Sequence, residues 1–222
     1  SCLVCKYFGP RVQHKAFFDE IFGENEFELV APSKFALDFI QSHTSLKPTQ
    51  TYTHPHAAIE ETDQAETQPD PRDPLRIGYL GAPMRHKGWD VFEHLTDVYL
   101  GNPSYKFMVF SALRPPRGNY DHVKVEVKAA DRNAMVCAVK NSRVDAVILW
   151  SLSPETFSFT LYESRAANCF IITNSFSGNI AATIKDLPEE GIVYSDAEEL
   201  TKAFADGSLR MRIQDHRKSL RK

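Results

Sequence analysis

The chain has 222 residues, enough for one large domain or two small ones, and its 42% hydrophobic and 11% aromatic content is that of a globular chain rather than a disordered one. Lys plus Arg at 26 against Asp plus Glu at 29 leaves a net charge of -3, which argues against a general nucleic-acid binder. No apolar run approaches the roughly 18 to 20 residues that span a bilayer, and no basic start with an apolar core marks a signal peptide, so the sequence predicts a soluble, cytoplasmic protein.

Cys137 and Cys169 fall in apolar segments and read as small core residues. Cys2 and Cys5 form a C-x-x-C with no second pair at zinc spacing, a weak metal signal. Because this motif stands at the very start, the chain is expected to be a fragment of something longer. Residues 14 to 22 space Phe17, Phe18, Ile21 and Phe22 as one face of a helix that needs a partner. Phe27 to Val30 reads as a short strand, Pro32-Ser33 opens a helix running to about Gln41, and Gln50 to Thr53 can form another strand. These 57 residues have too few strands for a sheet of their own. His54 and His56 flank a proline, a pattern more often solvated or structural than metal-binding. Residues 58 to 74 carry three prolines and six acidic residues against one basic residue, the composition of an extended linker.

From Leu75 strands and helices alternate. Strands are predicted at Leu75 to Gly81, Lys106 to Phe110, Val123 to Val127, Val144 to Trp150, Phe170 to Thr173 and Gly191 to Tyr194. Helices are predicted at Trp89 to Leu100, after an Asp131 cap, after a start at Thr156 or Ser158, near Asn179 to Ile184, from Asp196 to Phe204 and from Leu209 to Leu220. The last is strongly basic, a solvated outer face or a surface that can approach anionic lipid. Helices between apolar strands at this spacing imply an α/β fold with a doubly wound, Rossmann-like parallel sheet of about six strands. An order of 3-2-1-4-5-6 puts the reversal point, where such sheets bind ligands, between the first and fourth strands. The loops there are Gly81 to Gly88 and Ser151 to Ser158.

The second loop opens a helix, with Thr156 and Ser158 both plausible N-caps and free first-turn amides that suit a phosphate. Glu155 and Glu163 lie eight positions apart; with Glu155 in the loop and Glu163 on the second turn, both can look into one pocket, where hydroxyl donors are their natural partners. Acidic residues at a helix start also occur for dipole and capping reasons alone. In the first loop, Gly81 permits a sharp turn, Gly88 leaves the helix entrance open, and Arg85 and Lys87 can neutralise an anion. This is neither a G-x-G-x-x-G nor a Walker motif. Cations in one loop facing carboxylates in the other suit a nucleoside diphosphate sugar.

On these residues the segment from Leu75 to Phe204 resembles the C-terminal, donor-binding domain of the GT-B glycosyltransferases of the group 1 (family 4) class. Gly81 and Lys87-Gly88 match the glycine, lysine and glycine of that family's first phosphate loop, and Pro154-Glu155 through Glu163 matches its E-x7-E motif. Ser177-Gly178-Asn179-Ile180 stands where the family has a small glycine turn. Ala31-Pro32-Ser33-Lys34-Phe35 resembles the end of the acceptor domain, so residues 1–57 are expected to be its remnant and residues 75–222 the donor domain. The resemblance implies a retaining transferase acting on a glycan, lipid-linked or other acceptor, with no metal and no cofactor beyond the donor. Lys87 and Glu155 would be catalytic; Gly81, Arg85, Lys87, Gly88, Phe157, Ser158, Glu163 and Gly178 would bind the donor. Within that set Lys87 would meet the diphosphate and Glu163 the ribose, while Glu155 and the backbone of Phe157 and Ser158 would hold the sugar. Ala82 replaces the family's arginine, so Arg85 would supply a second cation, and Thr156 and Ser158 replace its glycines. Alternatives are a nucleotide-sugar epimerase of the same fold and a non-catalytic interaction module. Ser111, Leu113 and Asp131 are candidates for reading the base.

Overall fold

Six strands whose side chains alternate between two apolar faces dominate the structure, a computed structural model that describes residues 8–59 and 74–220. The chain divides between His56 and Ala57 into two compact units.

In the first unit, helix α1 (Phe8–Glu24) leads to strand β1 (Glu28–Ala31), helix α2 (Lys34–His43) and strand β2 (Gln50–Thr53). Against expectation, these residues do make a sheet: β1 and β2 pair in parallel, from Glu28 opposite Gln50 to Ala31 opposite Thr53. The reason is local. Ser33 caps α2 by accepting from the Ala36 amide at 3.1 Å, and the helix returns the chain along β1 as a crossover must for a parallel pair. On α1, Phe17, Phe18 and Ile21 are exposed, while Phe22 packs its ring 4.6 Å from that of Phe27.

The second unit runs β3 (Leu75–Leu80), α3 (Trp89–Val98), β4 (Tyr105–Ser111), β5 (Asp121–Lys124), α4 (Ala134–Asn141), β6 (Ala146–Leu149), α5 (Phe159–Ala166), β7 (Phe170–Asn174), α6 (Asn179–Asp186), β8 (Gly191–Tyr194), α7 (Ala197–Ala205) and α8 (Ser208–Ser219). All six strands are parallel in the order β5-β4-β3-β6-β7-β8, the doubly wound arrangement expected. Alternation along each strand splits the core in two. Ile77, Tyr79, Val109, Ile148 and Ile172 face a layer containing Trp89, Phe92, Leu200, Phe204 and Ile213 from α3, α7 and α8. Leu80, Met108, Phe110, Val147 and Ile171 face a layer containing Val136, Val139, Leu161, Ile180 and Ile184 from α4, α5 and α6.

Three local expectations shift. The edge strand β5 spans Asp121–Lys124 instead of Val123 to Val127, because its ladder with β4 runs from Met108 opposite Asp121 to Ser111 opposite Lys124. Asp131 does not cap α4: its backbone bridges to Lys128, and Asn133 stands at the helix start. The basic helix α8 is more than a solvated face. Leu209 and Ile213 are buried, Arg210 donates to the Ser104 carbonyl at 2.9 Å, and Arg217 forms a buried ion pair with Asp145 just before β6. Cys169 is buried and Cys137 half-buried, whereas Cys2 and Cys5 lie outside the described residues, as do residues 60–73 of the predicted linker. Ile59, just before that stretch, packs against the second unit's core. Among the described residues, no helix is long and apolar enough to cross a membrane, and no cluster of three His, Cys, Asp or Glu is placed to hold a metal.

Candidate functional site

The strand order reverses between β3 and β6, which pair through Ile77 with Ala146 and Gly78 with Val147. Two loops leave the carboxyl ends of these strands side by side. In the first, Gly81 has a φ of 102°, a left-handed value natural to glycine, and its amide donates to the Phe110 carbonyl at 2.8 Å. A Cβ on Gly81 would meet the Thr160 methyl at 3.9 Å, so the loop starts against the first turn of α5. Tyr79 holds the next residue by donating to the Ala82 carbonyl at 2.9 Å, and burial pushes its hydroxyl up to about 12. Arg85 to Lys87 then form one 3-10 turn that ends on Gly88, with a φ of 79°. A Cβ on Gly88 would sit 2.2 Å from the Trp150 carbonyl oxygen. Glycine is therefore required there by close packing on the end of β6, a more specific reason than an open helix entrance.

The second loop is tied to the first and to the start of α6. Leu152 donates its amide to the His86 carbonyl at 2.8 Å. Glu155 forms a parallel bridge with Gly178, and the Asn179 amide donates to the Glu155 carbonyl at 2.8 Å. Gly178 adopts φ 67° and ψ -122°, and a Cβ on it would lie 2.5 Å from the Glu155 nitrogen. Gly178 thus acts on the loop's backbone. Of the two cap candidates, Ser158 takes the role, accepting from the Leu161 amide at 3.4 Å. Phe157 is buried, its ring stacked on Tyr162 at 4.8 Å and edge-on to Phe159 at 5.1 Å.

The ionisable side chains divide by environment. Lys87 Nζ bonds Glu155 Oε1, joining the two loops; the lysine side chain is 44% exposed and the carboxylate 13%. Arg85 is directed elsewhere: its guanidinium pairs with Asp90 of α3 at 3.0 Å and is largely exposed. Glu163 stands on the second turn of α5, about 7.5 Å along the helix axis from the Ser158 cap. It is 6% exposed, has no side-chain hydrogen bond among the described residues, and burial alone pushes its carboxyl up to about 7. Because the folded chain holds that proton more tightly than the unfolded chain, this contribution to stability is full below about pH 4.5 and is lost as pH rises to about 7. Urea midpoints across this range should fall with pH, and Glu163→Gln should flatten the fall, worth on the order of 3 kcal/mol.

The sequence reading missed the polar network beneath the loops. Ser151 Oγ donates toward Glu155 Oε1 at 2.9 Å, Asn174 Nδ2 donates to the Ser151 carbonyl at 2.9 Å, and Thr173 donates to the Leu149 carbonyl at 2.7 Å. All three residues are buried. The available signal was positional: Ser151 follows the apolar run of β6, and Thr173 and Asn174 are the polar residues that close the otherwise apolar β7, where a buried hydroxyl or amide must find a partner.

No protein-family model and no curated protein matches the chain. Solved structures do. The sucrose-phosphate synthase of Thermosynechococcus elongatus superposes with a TM-score of 0.62 at 18% identity, over 97% of this chain and 58% of that one. WaaG, a glycosyltransferase involved in lipopolysaccharide biosynthesis, gives 0.63 at 16% identity over 93% and 62%. The pneumococcal O-GlcNAc transferase GtfA, in complex with UDP and GlcNAc, gives 0.53 at 13% over 86% and 41%. The chain spans less than two thirds of the length of each of these proteins. Its fold is that of the GT-B glycosyltransferases, and the six-stranded unit has the Rossmann-like fold of a GT-B domain.

Proposed function

We propose that this chain is the donor-binding portion of a retaining glycosyltransferase and takes a nucleoside diphosphate sugar between the loops 81–88 and 151–158. The observation that carries this reading is the Lys87 to Glu155 pair, which brings a cation and a carboxylate together from two loops at the sheet's reversal point. The likeness to glycosyltransferases, one of them in complex with UDP and GlcNAc, supports it at the level of fold.

In this reading Lys87 meets the diphosphate and stabilises the charge that grows on it as the sugar departs. The first turn of α5, opened by Ser158, adds backbone donors and the positive end of the helix dipole. Glu155, with the backbone of Phe157 and Ser158, holds sugar hydroxyls. Glu163 accepts from the ribose. Arg85 contributes a second cation only by exchanging Asp90 for the ligand. Hydroxyl donors favour the ionised form of Glu163, so nucleotide affinity should rise as pH increases through about 7.

The test is a titration of UDP, ADP and GDP and of their sugars against wild type and Glu163→Ala. Losing two charge-assisted hydrogen bonds to the ribose should cost at least about tenfold in affinity. Equal affinities in the two proteins, or no binding to wild type, contradict the reading.

A further inference from the structure

We infer that Ser151 is a positioning residue that keeps Glu155 in place when Lys87 turns from the carboxylate to a ligand phosphate; this rests on the donor-binding reading above. Lys87 and Ser151 converge on the same atom, Glu155 Oε1. Oε2 carries no hydrogen bond among the described residues and is the oxygen left for a ligand hydroxyl.

The two donors differ in how firmly they are held. Lys87 is 44% exposed on a flexible four-carbon stem and can follow an anion. Ser151 is 3% exposed. Its backbone is fixed by Asn174, which donates to the Ser151 carbonyl and whose own Oδ1 accepts from the Phe176 amide at 2.8 Å. The Ser151 hydroxyl has one hydrogen and three acceptors within reach: the Ser153 carbonyl at 2.8 Å, Glu155 Oε1 at 2.9 Å and the His86 carbonyl at 3.4 Å. Of these the carboxylate is the strongest acceptor because it is charged. With Lys87 drawn to phosphate, Ser151 is the donor that remains on Oε1. Without it, the carboxylate either follows the ammonium or swings to water, and the sugar loses its acceptor.

This assigns Ser151 to the sugar and not to the diphosphate, which separates its role from loop stability. The experiment compares a nucleoside diphosphate with its sugar conjugate by titration calorimetry, using UDP with UDP-GlcNAc, ADP with ADP-glucose and GDP with GDP-mannose. The pair that wild type binds best is then carried into the variants. Ser151→Ala should leave the diphosphate affinity unchanged and weaken the sugar conjugate by about tenfold, the worth of one hydrogen bond to a charged group. In a Glu155→Ala background the same substitution should have no further effect on the conjugate. Equal losses for diphosphate and conjugate in Ser151→Ala, or a loss that persists without Glu155, overturn the inference while leaving donor binding intact. Absence of binding by wild type to all six compounds overturns both.

Discussion

Gly178→Ala is expected to destabilise the protein by about 3 kcal/mol or more and to abolish nucleotide binding, for two reasons that add. Its φ of 67° with ψ of -122° lies in a region that L side chains do not tolerate. The new methyl would also stand 2.5 Å from the nitrogen and 2.6 Å from the carbonyl oxygen of Glu155, both backbone atoms that cannot rotate away. Relief requires the loop to part from α6. That breaks the Asn179 to Glu155 hydrogen bond and carries Glu155 away from Lys87. Urea unfolding and a nucleotide titration check the two consequences; a variant of wild-type stability that still binds would show that the loop is not clamped here.

Asp145→Ala should cost about 3 to 5 kcal/mol, the usual penalty for removing one member of a buried pair. Asp145 accepts from Arg217 through Oδ1 and from the Arg76 amide through Oδ2 at 2.7 Å, so one carboxylate ties α8 to the amino ends of β6 and β3. Arg217 Nη2 and Arg76 Nη1 are buried without hydrogen bonds among the described residues. Removing the carboxylate leaves the guanidinium of Arg217 buried and uncompensated. Asp145→Leu combined with Arg217→Met should therefore be less destabilising than Asp145→Ala alone. Chemical denaturation of the three variants decides it, and a loss under about 1 kcal/mol for Asp145→Ala would mean that α8 is held by its apolar contacts instead.

The parallel sheet was legible because β3, β6 and β7 are buried on both faces and so read as apolar runs. Of the two edge strands, β8 has the predicted bounds and β5 does not, because the ladder with β4 begins at the charged Asp121, opposite Met108, and ends at Lys124, opposite Ser111, so it does not follow the apolar positions of residues 123–127. The β1 and β2 pairing was missed because eight residues divided between two strands carry little pattern, and their association depends on the intervening helix. At the site, Lys87, Glu155 and Ser158 were readable as residue types in two loops that the fold brings together. The direction of Arg85 toward Asp90 was not, since a surface ion pair leaves no periodic trace. Nor was the support given by Ser151 and Asn174, which lie 23 positions apart and meet only once β6 and β7 pair.

The most direct measurement is backbone amide chemical-shift mapping of the 15N-labelled chain on addition of UDP, ADP or GDP. Donor binding at the reversal point predicts that the largest shifts fall on Gly81 to Gly88 and on Phe157 to Glu163, with Gly88 and Ser158 among them. No shifts with any of the three, or shifts confined to the cleft lined by Tyr99, Tyr105 and Asn119, would contradict it.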